Sequence, residues 1–108
     1  MPTATPPKKR PSRRPPPSWG FFSRHALVLV RIAREPESRL RDLAEHVGVT
    51  ERAVQSLVAD LVKHEYLAIV KNGRRNRYRV NLRRILHDPL AGRMTVRRFL
   101  ETLVGELP

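Results

Sequence analysis

The chain has 108 residues, with 22 Lys or Arg against 10 Asp or Glu, so its formal charge is +12 when the four histidines are neutral. That length holds one domain, and the absence of cysteine excludes disulfides, thiolate metal sites and cysteine nucleophiles. A basic surface favours polyanions, nucleic acid before anionic membrane; the longest uncharged apolar run, Ala26 to Val30, stops at Arg31 and is far too short to span a bilayer.

Residues 1–18 hold seven prolines and the basic residues Lys8, Lys9, Arg10, Arg13 and Arg14, with no acidic side chain. Such a segment buries too little apolar surface to offset its ordering entropy, and the expectation is a disordered, locally extended tail. Prolines follow the basic start where a secretory signal needs an apolar stretch, which predicts a cytoplasmic protein. Three roles stay open for KKRPSRR: an arm on DNA, a nuclear localisation signal or a solubilising tail. Residues 19–108 form the expected domain and keep +7 of the charge. A domain of roughly 90 residues buries only about 60–65% of its extended-chain surface, which leaves it marginal alone and makes dimerisation a natural remedy.

Within that domain, Ser23 is a candidate N-cap for a first helix running to about Arg34, ended by Pro36. Val28, Leu29, Ile32 and Ala33 share its core stripe, whereas Leu27 and Val30 fall outside it. This second apolar face is either covered within the helix's own domain or set against a partner chain, and the small size of the domain favours the partner. A second helix is expected over Arg41 to Val47, with Leu43, Ala44 and Val47 inward and Gly48 as its left-handed stop. Val49 plugs the corner and Thr50 caps a third helix reaching about His64, with Glu51 at its positive end. Val54, Leu57, Val58, Leu61 and Val62 recur at the 3–4 residue spacing of a buried stripe. Arg52, Gln55, Ser56 and Ala59 are left facing outward.

A hairpin follows. Leu67 and Ile69 alternate on one strand, Tyr78 and Val80 on the other, and Asn72-Gly73 signals the turn. Residues from Leu82 to Gly92 read as irregular, broken at Asp88-Pro89. A last helix is expected at about 95–104, capped by Thr95, with Val96, Phe99, Leu100, Leu103 and Val104 on one stripe.

Taken together, LRDLAEHVGVTERAVQSLVADLVKHEYL and the hairpin NGRRNRYRV resemble the winged helix-turn-helix domain of bacterial MarR- and ArsR-type transcription regulators. The resemblance covers 44 residues, Arg39 to Leu82, and extends to the flanking helices only by position. It implies a mainly α fold with a small β-hairpin (α+β), a winged helix-turn-helix with N- and C-terminal flanking helices. It makes Thr50 to His64 the helix that reads double-stranded DNA and Lys71 to Arg79 the wing. On this reading Thr50, Arg52, Ala53, Gln55 and Ser56 meet the major groove; Arg suits guanine and Gln suits adenine as bidentate partners. Lys71, Asn72, Arg74, Arg75 and Arg77 meet the backbone or minor groove. The bland alternatives are a solvated helix face and a charged hairpin guarding its own edge. Four arginines between Arg74 and Arg79 exceed what edge protection needs.

The stripe of the last helix could simply cap the domain's own core, but in such regulators the terminal helices often build a dimer, so the resemblance implies a homodimer seam through Leu27, Val30, Val96, Phe99, Leu100 and Leu103. A two-fold pair would set two reading helices on successive major grooves. One residue departs from the pattern: where the family has Gly before the aromatic that opens the first wing strand, this chain has Glu65 before Tyr66. A left-handed Glu there would cost roughly 1 kcal/mol relative to Gly. Some ArsR relatives sense metals, yet His25, His46, His64 and His87 are dispersed and lack paired helical spacing; no metal, cofactor or catalysis is expected. The runner-up function is an adaptor that uses the same fold to bind a protein or RNA. Operator, sign of regulation and any effector are not written in the sequence.

Overall fold

The computed structural model describes residues 18–73 and 75–107, without the side chains of Asn72 and Arg75. The tail predicted for residues 1–18, including Lys8, Lys9, Arg10, Arg13 and Arg14, lies outside them except for Ser18, as does Arg74 of the predicted wing. The described residues form four helices and a two-stranded antiparallel hairpin, a mainly α arrangement with a small β element. In order these are α1 (Arg24–Arg34), α2 (Leu40–Val47), α3 (Glu51–Lys63), β1 (Leu67–Asn72), β2 (Arg75–Val80) and α4 (Val96–Val104). A single 3-10 turn, Pro89–Ala91, interrupts the β2–α4 connection.

Local chemistry accounts for the helix ends. The Ser23 hydroxyl accepts from the Ala26 N–H, Thr50 from Ala53 and Thr95 from Arg98; each satisfies an otherwise orphaned amide and contributes about 1 kcal/mol. The α2 helix begins one residue earlier than its periodicity suggests, where Asp42 Oδ2 accepts from the Arg39 N–H at 3.4 Å. It ends on Gly48 at φ 84°, the left-handed stop expected there.

Helix α1 packs against α2, α3, α4 and β2. Val28, Leu29 and Ile32 of α1 meet Leu43 and Ala44 of α2, Val54, Val58 and Leu61 of α3, and Leu67 and Tyr78 of the hairpin. The core closes with Val96 and Leu100 of α4, both fully buried. That corrects part of the expected dimer seam: α4 turns Val96 and Leu100 into the chain's own core, so they have no surface to offer a partner. Phe99, Leu27 and Val30 are half-buried, and Leu103 is more open. The first amides of α4 bond back to the segment after β2, Val96 to the Arg84 carbonyl and Arg97 to that of Leu82, so α4 is locked to the hairpin base as well as to α1.

In the hairpin, Leu67 pairs with Val80, Ile69 with Tyr78 and Asn72 with Arg75. The turn therefore falls between Asn72 and Arg75, one residue later than Asn72-Gly73 suggests, with Gly73 at φ 68°. Leu67 and Tyr78 are buried as expected, but Ile69, the cross-strand partner of Tyr78, keeps 45% of its surface exposed. The outer edge of β2 is engaged where the Tyr78 N–H donates to the Pro36 carbonyl at 3.0 Å.

The corner between α3 and β1 resolves the Glu65 anomaly. Glu65 takes φ 68°, the sole positive value on a non-glycine among the described residues. The Glu65 N–H donates to the Val62 carbonyl and the Tyr66 N–H to that of Leu61, the bond pair of a Schellman stop. Asn81 Nδ2 adds a bond to the Glu65 carbonyl at 2.9 Å. The corner keeps the shape for which glycine is suited, and Glu bears the strain.

Candidate nucleic-acid interface

Helix α3 is anchored by Val54, Val58 and Leu61, so its opposite face is delivered to solvent. Arg52, Gln55, Ser56 and Ala59 are all exposed, and none of their side chains forms a hydrogen bond or ion pair among the described residues. Ala53 is half-buried at the flank of the face. The Thr50 hydroxyl accepts from the Ala53 amide at 3.0 Å, so its first role is to cap the helix. Glu51, also exposed, adds a carboxylate to the same end, and a carboxylate can accept from the cytosine amino group.

The predicted wing residues are placed unevenly. Lys71 is exposed near the turn. Arg77 is exposed, and its Nη1 donates to Glu37 Oε2 at 3.3 Å, an ion pair in solvent that contributes little to stability. Strand alternation puts Arg77 and Arg79 on the face opposite buried Tyr78; Arg79 is thus a second arginine of the row, passed over when the wing residues were assigned by sequence. The backbones of Asn72 and Arg75 are described within their strands, whereas their side chains and Arg74 are not.

One cavity of about 400 Å³ lies between the start of α3 and β2, lined by none of the outward α3 residues and none of the described basic hairpin side chains. It is bounded by Arg39, Leu40 and Arg41 at the start of α2, by Glu51 at the start of α3, and by Asn76 on β2. The start of the helix with the free polar face and the hairpin therefore lie beside one another. Arg39 and Arg41 are exposed at the same junction. Sequence reasoning gave them no role, although their position ahead of the LAEHVG helix was a usable signal: basic groups there can approach a phosphate that faces the α2 amides.

A second grouping has no counterpart in the linear sequence. His25, His64 and His87 line one open cleft of about 720 Å³ between α1, α3 and the β2–α4 connection. His25 Nε2 lies 2.8 Å from Asp60 Oδ2, a contact spanning 35 residues. The Tyr66 hydroxyl accepts from the His87 N–H at 2.7 Å, and the Arg84 guanidinium stands 4.8 Å from the Tyr66 ring centre. Among the described residues no group of three or more potential ligands is arranged to hold a metal ion, and no helix is long and apolar enough to cross a membrane. Comparison of the chain with protein-family models, with curated proteins and with solved structures finds no match.

Proposed function

We propose that this protein is a sequence-specific DNA-binding transcription regulator of winged helix-turn-helix type. Helix α3 enters the major groove and presents Arg52, Gln55 and Ser56 to base edges, while the arginine-rich hairpin follows the backbone or the adjacent minor groove. The observation that supports this most is that one small fold carries both an unpaired polar face on α3 and a basic hairpin, while the start of α3 and β2 bound one cavity with Arg39 and Arg41 exposed at its rim. A solvated helix needs no arginine row beside it, and a hairpin guarding its edge needs no open helix face.

Two copies related by a two-fold axis would read a palindrome with half-sites about one helical turn apart. The basic residues before position 19 would extend the electrostatic footprint. Selection of bound duplexes from a random pool tests the reading. The expected result is one short palindromic consensus, bound at least about 10³-fold more tightly than random duplex at physiological salt. Equal binding to random DNA and to RNA would instead mean an adaptor that recognises polyanions without reading sequence.

A further inference from the structure

We infer that a second copy of this chain docks through an exchange of Leu90: the leucine of each protomer enters the aromatic cleft of the other. This rests on the two-copy reading above and gives its seam a location.

The knob is built rather than loose. Leu90 is 97% exposed at the tip of the Pro89–Ala91 turn. Asp88 Oδ1 accepts from the Leu90 N–H at 2.9 Å, the Ala91 N–H donates to the Asp88 carbonyl, and Leu86 and Met94 close the loop through a 2.9 Å backbone bond. A leucine held out on a proline-stiffened, hydrogen-bonded turn has already lost the freedom that binding would otherwise remove. Its exposure serves nothing within its own protomer.

The cleft is the complement. Phe21, Phe22, Leu29, Leu61, Leu86 and Phe99 wall it. Phe22 packs edge-on against Phe21 and Phe99, at 5.4 and 6.2 Å between ring centres. Yet Phe21 remains 85% exposed and neighbouring Trp19 67%. A large aromatic side chain buries roughly 150–250 Å² when covered, so Trp19, Phe21 and Phe22 alone offer roughly 300–450 Å². With Leu90 added, this exceeds half of the roughly 800 Å² that each partner of a stable interface contributes.

Two further observations select a second copy as the occupant. First, knob and cleft adjoin, since His87 and Asp88 line the cleft two or three residues before Leu90. Adjacent complementary features are satisfied twice by one two-fold axis passing between them, which closes the assembly. Second, the chain carries +12 overall, so two copies repel except where charge is balanced. The cleft supplies that balance, with Asp60 and Asp88 among its histidines, and Arg93 stands exposed beyond the knob without an ion pair among the described residues.

The test is Leu90→Asp, a change at a site with almost no contacts to lose within the protomer, so its circular dichroism should match the parent and any loss of melting temperature should vanish on dilution to where both are monomeric. Sedimentation at micromolar concentration should give a dimer for the unaltered chain and a dimer dissociation constant raised about 30-fold or more for the variant, the signature of a central anchor. Affinity for a palindrome should fall, while binding to a single half-site stays. Because the chain has no native cysteine, mixing Leu90→Cys with Phe21→Cys protein should yield a cross-linked heterodimer on mild oxidation. If Leu90→Asp stays dimeric and the mixed pair does not cross-link, the seam lies elsewhere and the two-copy reading survives. If the unaltered chain is monomeric in solution and on a palindrome, both fall.

Discussion

Replacing Glu65 by Gly should stabilise the protein. Glu65 sits at φ 68°, where an L-residue with a Cβ bears roughly 1–2 kcal/mol of steric cost. None of the bonds that close the α3–β1 corner uses the Glu65 side chain: Glu65 contributes its N–H and its carbonyl, and the other backbone bond runs from the Tyr66 N–H to the Leu61 carbonyl, so all survive loss of that side chain. That side chain is exposed and forms no hydrogen bond or ion pair among the described residues, so little packing is lost. Against the relief stands the greater freedom of glycine in the unfolded chain, worth roughly 0.5–1 kcal/mol. The net expectation is a gain of about 0.5–1 kcal/mol, which for a domain of this size raises Tm by about 3–6 °C. Urea unfolding should give the same sign, with an unchanged slope. Glu65→Ala is the control: it removes the carboxylate but keeps the Cβ, so it should lie within about 0.5 kcal/mol of the parent. A Gly variant no more stable than the Ala variant would refute the strain argument.

Gln55→Ala should erase discrimination at one base pair of the selected site, a loss of about 1–3 kcal/mol there, read by competition among single-substituted duplexes; unchanged preference with unchanged affinity removes Gln55 from the reading face. Arg74→Ala should flatten the log–log salt dependence of binding by about 0.9, and an unaltered slope would take that arginine off the phosphates. Thr50→Ala should cost about 1 kcal/mol of stability whereas Thr50→Ser stays near the parent, because the Ala53 amide needs an oxygen acceptor; equal melting of the two variants would deny the cap. Deleting residues 1–18 tests the basic arm: weaker binding with a shallower salt slope is expected, and an intact affinity and slope would leave the tail without a DNA role.

Much of the fold was legible because its determinants are local. A hydroxyl three residues ahead of the amide it caps marks a helix start, and this rule identified Ser23, Thr50 and Thr95. Gly48 marked a stop through its freedom to adopt positive φ. The outward set Arg52, Gln55, Ser56 and Ala59 followed from helical period alone, since burying Val54, Val58 and Leu61 forces the opposite face out. Glu65 was legible as a conflict: the pattern wanted glycine, and the chain keeps the glycine conformation without the residue. The start of α2 was missed by one residue because the Asp42 bond to the Arg39 amide is weakly encoded.

What the linear chain did not carry depends on contacts between distant residues. A helical stripe states that Val96, Leu100 and Leu103 share a face, but not whether that face meets α1 of the same chain or another copy. Docking of α4 on α1 put Val96 and Leu100 inside and left Leu103 at the edge. Alternation likewise placed Ile69 beside Tyr78 without revealing that only Tyr78 is buried.

The sequence by itself determined the order of the helices and the hairpin, the N-caps of α1, α3 and α4 and the polar face of α3, since periodicity and capping act within a turn or two of backbone. Tertiary structure alone decided that the start of α3 and the hairpin border one cavity, that Val96 and Leu100 are core, and that His25 reaches Asp60. It also decided that Leu90 stands out beside an aromatic cleft. These are pairings of residues far apart in the chain, set by how amphipathic elements pack to remove apolar surface from water, and no local pattern encodes that choice.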